Sequence, residues 1–91
     1  MTPFPRAEIR RIAERHGARN IRIFGSVARG DDRPDSDLDL LIDLEAGRSL
    51  LDLIGFQQDV EDLLGRKVDV HTLPSISRYF REDVLAEAVP L

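Results

Sequence analysis

The chain has 91 residues, enough for a single domain over residues 1–91 and too few for separate catalytic and substrate-binding domains. Its 42% hydrophobic and 33% charged residues read as an ordinary globular domain, and 17 acidic against 13 basic residues argue against broad nucleic-acid binding. The lack of cysteine excludes disulfides and thiolate metal sites and fits a reducing, cytoplasmic setting, and no apolar run is long enough to span a bilayer.

Met1 to Pro5 reads as a lead-in, with Pro3 and Pro5 suited to a helix start near Arg6. Ile9, Ile12 and Ala13 fall at helical spacing from Arg6 to His16, and Gly17 is a stop signal. Ile21 to Phe24 alternates as a short strand, with Ile21 and Ile23 on one face. Gly25 ends it, Ser26 to Arg29 fit a short helix, and Gly30 to Ser36 carry loop chemistry. Ser36 to Leu44 reads as a second strand, with Leu38, Leu40 and Ile42 on one face and Asp37, Asp39, Leu41 and Asp43 on the other.

A helix follows from about Ser49 to Leu64, its apolar stripe made of Leu50, Leu53, Ile54, Val60, Leu63 and Leu64. Lys67 to His71 forms a third strand with Val68 and Val70 inward, Pro74 interrupts, and Tyr79 to Ala88 closes the chain as a helix. The order predicts an α/β (α+β) domain, a small mixed sheet flanked by helices. The β-α-β unit from Ser36 to His71 predicts parallel second and third strands, adjacent or not.

Four features carry chemistry. Asp37 and Asp39 share a strand face, roughly 7 Å apart at their Cα atoms, and two carboxylates so placed want solvent or a hard cation such as Mg²⁺ or Mn²⁺. Gly25-Ser26 follows a strand and opens a helix, where free N–H groups favour a phosphate and Gly25 permits close approach. Asp69, in "KVDVH", shares its face with Lys67 and His71; beside the second strand it would bring a third carboxylate to a site able to hold two metal ions. Arg29 lies three residues after Ser26 and could reach a triphosphate. Each feature alone has a plainer reading: a solvated strand face, a helix cap, a surface ion pair of Arg29 with Asp31, Asp32 or Asp35. His71 alone is a weak metal candidate.

Together they are more specific. Gly25-Ser26, ten residues, then Asp37-x-Asp39, with Arg29-Gly30 between and Asp69 on a later strand, resembles the nucleotidyltransferase superfamily typified by DNA polymerase beta. The phrase "IFGSVARGDDRPDSDLDLLIDL" is similar to its minimal, MntA-like branch, often encoded beside a helical HEPN-domain protein. The resemblance covers nearly the whole chain and implies the polymerase beta-like fold. It implies transfer of AMP from ATP to a tyrosine hydroxyl of a HEPN toxin, which the chain would neutralise as antitoxin. Gly25, Ser26 and Arg29 would then hold the nucleotide phosphates. Asp37, Asp39 and Asp69 would bind Mg²⁺, with Asp69 also a base.

Larger members carry an additional helical domain, so here a partner would supply the acceptor. The α-helical stripe and the tail "YFREDVLAEAVPL" are candidate contact surfaces, although core packing explains most of their residues more simply. Two other functions fit the same residues: an antitoxin that acts by binding alone, and a nucleotidyltransferase of a small-molecule hydroxyl.

Overall fold

The computed structural model describes residues 5–30 and 37–91. The predicted lead-in before Pro5 and the predicted loop and strand start at 31–36 lie outside the described residues. In chain order the elements are α1 (Arg6–His16), β1 (Ala18–Phe24), α2 (Ser26–Arg29), β2 (Leu38–Leu44), α3 (Leu50–Leu64), β3 (Val68–His71), a 3-10 turn (Leu73–Ser75), α4 (Arg78–Glu87) and β4 (Val89–Pro90).

The strands form one sheet in the order β3-β2-β1-β4. β2 and β3 are parallel and adjacent, and β1 runs antiparallel to both β2 and β4, so the sheet is mixed. β1 begins three residues before the predicted Ile21. The Ala18-Arg19-Asn20 start hides its pattern, because the register shifts between Arg19 and Arg22 and Asn20 takes a left-handed φ of 53°. β4 was not predicted; two residues are too few for any periodicity to show.

One face of the sheet carries the core. Ile9, Ile12 and Ala13 of α1 and Phe56 and Val60 of α3 pack on Ile23, Leu38, Leu40, Ile42, Val68 and Val70. The period-2 pattern of β2 and β3 and the period-3.6 pattern of α1 thus land on a common interior. A bond of 2.8 Å between His16 Nε2 and Asp59 Oδ2 ties α1 to α3. α3 starts at a capping box, Ser49 accepting from the Leu51 N–H and Asp52 accepting from the Ser49 N–H.

Two apolar expectations change. In α3 only Phe56 and Val60 are buried, while Leu50, Ile54 and Leu63 of the predicted stripe face outward. α4 has no buried residue, and Tyr79, Phe80 and Leu85 are exposed. Core packing therefore does not explain most of the tail; its contribution to the core is Leu91. Leu41, predicted on the aspartate face, is there but buried at 1% exposure, outside the main core cluster. Among the described residues no helix is long and apolar enough to cross a membrane.

Candidate active site

The site is built where β1 ends. Phe24 pairs across the sheet with Asp39 of β2, and Asp39 pairs with Asp69 of β3. Three neighbouring strands thus set these residues in one row on the sheet face opposite the helical core. The chain leaves β1 through Gly25, whose φ of 79° and ψ of −152° lie in a region almost reserved for glycine. This turn lays the Gly25 backbone on the Asp39 side chain: a Cβ on Gly25 would collide with Oδ2 and stand 3.2 Å from Cγ of Asp39. Gly25 occupies the N-cap position and Ser26 is the first helical residue, so the Ser26 hydroxyl is not placed as a helix cap.

The carboxylates differ in surroundings. Asp37 lies just before β2, with Lys67 Nζ 3.8 Å from its Oδ2. Asp39 is the more enclosed, and burial pushes its carboxyl above the usual range. The opposing influence is His71, whose Nε2 lies 3.8 Å from Asp39 Oδ1; the neighbouring charges of Asp69 and Asp37 push upward again. The His71 ring is steadied edge-on against Phe24, with centroids 5.4 Å apart and planes at 64°.

The donor set suits a hard divalent cation. Among the described residues no group of three His, Cys, Asp or Glu side chains forms a metal cage. Mg²⁺, however, is commonly held by one or two carboxylates together with substrate phosphates. Asp37 and Asp39, the latter beside Asp69 on the neighbouring strand, are oxygen donors of that kind.

Arg29 ends α2, and its Nη1 donates to Glu87 Oε1 of α4 at 2.9 Å. The carboxylates expected to pair with it, Asp31, Asp32 and Asp35, lie outside the described residues. Asp39 and Asp69, Gly25 and the end of β1 are therefore brought together as predicted, with Arg29 held at the far end of α2. Sequence reasoning weighed His71 only as a metal ligand, not as a neighbour of Asp39, and did not single out Phe24 or Glu87. Strand alternation already placed His71 on the Asp69 face; nothing local announces Glu87, 58 residues from its partner.

The nucleotidyltransferase domain family matches residues 6–91. The protein adenylyltransferase MntA of Thermococcus cleftensis is 40% identical over 83 residues, covering 91% of this chain and 84% of that protein. A solved structure provisionally described as a minimal nucleotidyltransferase is 47% identical with a TM-score of 0.82, over 94% of this chain and 91% of that one. A toxin–antitoxin crystal structure with AMP-PNP has a TM-score of 0.79 at 19% identity, over 96% of this chain and 72% of that one, and shares the fold.

Proposed function

From the premise that this chain belongs to the nucleotidyltransferase domain family, we propose that it is a cytoplasmic protein adenylyltransferase that moves AMP from ATP to a tyrosine hydroxyl of a HEPN-type toxin and so acts as its antitoxin. The observation that carries the reading is the row Phe24–Asp39–Asp69, with the Gly25 backbone laid on Asp39. A glycine turn that admits phosphate against a carboxylate that admits a cation is what a metal–triphosphate substrate requires. The name of the Thermococcus relative and the toxin–antitoxin likeness with a bound ATP analogue support the direction of the reading.

In this reaction the acceptor oxygen attacks the α-phosphorus, and the bond from that phosphorus to the bridging oxygen of pyrophosphate breaks. The hydroxyl proton passes to a carboxylate, for which Asp69 is the candidate. Gly25 and Ser26 hold phosphate oxygens, and Arg29 contacts the triphosphate. Asp37, Asp39 and Asp69 would hold Mg²⁺, which supplies neutralisation of the charge that builds on the leaving pyrophosphate. The exposed apolar side chains of α3 and α4 leave surface for the partner that brings the acceptor.

The test mixes the chain with labelled ATP, Mg²⁺ and its toxin partner and weighs the partner by mass spectrometry. A gain of one or more AMP units, lost in the Asp37→Ala/Asp39→Ala double variant, is the expected result. Neutralisation of the toxin without any mass gain would leave antitoxin action by binding alone.

A further inference from the structure

The Asp39 carboxylate is approached at both of its oxygens. Oδ2 lies against the Gly25 backbone, where a Cβ would collide with it. Oδ1 faces Nε2 of His71 at 3.8 Å. His71 reaches it diagonally, because the direct partner of Asp39 on β3 is Asp69 and the partner of His71 on β2 is Leu41. The imidazole is itself placed by the ring of Phe24, edge-on with centroids 5.4 Å apart. Phe24 belongs to β1, on the other flank of β2, and pairs with Asp39. Two ring side chains from the outer two of these three strands thus meet across β2, beside Asp39.

We propose that His71 is a positioning residue: it fixes the Asp39 carboxylate from the Oδ1 side so that the carboxylate meets the cation of a metal–nucleotide complex. This role rests on the metal–nucleotide part of the adenylyltransferase reading and deepens it. At 3.8 Å the contact is longer than a hydrogen bond, and a closing movement of about 0.8 Å makes it one. Contacts at a reacting centre are often long before substrate binds and tighten in the complex. The role needs a proton on Nε2, which the Nε2–H tautomer and the imidazolium both carry, so it requires no change of charge. Nor does it make His71 a ligand: Nε2 is turned to the carboxylate, as the outer partners of metal-binding side chains are. The His71 and Asp39 side chains are 38% and 27% accessible, so their contact adds little to the fold and its effect belongs to cation binding.

The test reads Mn²⁺ binding by electron paramagnetic resonance with a non-hydrolysable ATP analogue present, together with thermal unfolding and the Mg²⁺ dependence of AMP transfer. His71→Phe keeps a ring against Phe24 and removes the nitrogen. It should weaken Mn²⁺ binding by about tenfold and raise the Mg²⁺ concentration for half-maximal transfer alike, with kcat at saturating Mg²⁺ and unfolding near the parent's. His71→Gln, which restores an N–H donor, should recover part of that loss. Should His71→Phe unfold early, the comparison passes to His71→Gln against His71→Met, alike in length and different in the donor. Parent-like or tighter Mn²⁺ binding without the donor would overturn the proposal, the latter marking His71 as a competitor of the cation. Coupling of a directly bound imidazole nitrogen to Mn²⁺ in the parent would overturn it too, by making His71 a ligand. Either result leaves the adenylyltransferase reading intact if the parent transfers AMP. A parent that binds Mn²⁺ with the analogue and transfers nothing overturns that reading alone, and one that binds neither overturns both.

Discussion

The backbone of Gly25 lies against the carboxylate of Asp39, with no room between them for a methyl group. Gly25 follows β1 and Asp39 lies in β2, and the contact exists because Phe24 pairs with Asp39 and the chain turns at once beyond it. Gly25→Ala therefore meets two penalties. The φ of 79° costs an alanine about 1–3 kcal/mol, and the new Cβ displaces Asp39. We expect a lower thermal midpoint and a loss of about 100-fold in Mg²⁺-dependent AMP transfer, the scale of an ångström-sized misplacement at a reacting centre. A variant that unfolds early but transfers AMP at the parental rate would show that the contact serves the fold alone.

Asp39 itself should be a cost to the metal-free fold. Burial, Asp69 and Asp37 raise its pKa, and His71 only partly opposes them. A carboxyl with a raised folded pKa binds its proton more tightly in the folded chain than in the unfolded one. Its ionised form therefore destabilises the fold at neutral pH, and the penalty fades as the pH falls through the folded pKa toward the unfolded value. Asp39→Asn is expected to raise the thermal midpoint at neutral pH without Mg²⁺, by an increment that shrinks on acidification. Mg²⁺ with ATP should stabilise the parent and not the variant. An increment equally large in acid would assign the gain to packing instead of charge.

How far the sequence announces this molecule depends on the range of the signal. Asp37, Asp39 and Asp69 show their common face through strand alternation, and Val68 and Val70 show the opposite face. The parallel pairing of β2 with β3 follows from the helix between them. What stays hidden is decided by distant partners. Leu50 and Ile54 carry the same apolar label as Val60, yet no sheet residue stands opposite them, and they remain exposed. Glu87 looks like any helix-end carboxylate until β4 folds back beside β1.

The outer edge of the sheet yields a third expectation. β3 is an edge strand, and its outward N–H groups are answered by side chains of α3. The Val68 N–H donates to Glu61 Oε2 at 3.0 Å and the Val70 N–H to Gln57 Oε1 at 3.3 Å. These two bonds stand where a further strand would pair. Removing both, with Gln57→Ala and Glu61→Ala, should cost about 0.5–1.5 kcal/mol per bond and open the edge. Light scattering should then show association that grows with concentration. A strictly unchanged molar mass would mean that the edge is guarded by something other than these caps.

The exposed aromatic residues give the sharpest contrast between apolar residues that build the fold and those that do not. Phe56 has no accessible surface and sits between the helices and the sheet. Truncating it to alanine removes its transfer energy and leaves a cavity, about 3–5 kcal/mol in all. That is comparable to the whole stability of a small domain, so Phe56→Ala should be largely unfolded. Tyr79, 86% exposed on α4, should behave oppositely: Tyr79→Ala should change stability by no more than about 0.5 kcal/mol. Urea unfolding measures both on one scale. A Tyr79 variant as damaged as the Phe56 variant would place α4 in the folding core after all, and with it would go the case that the face of α4 is free for a partner.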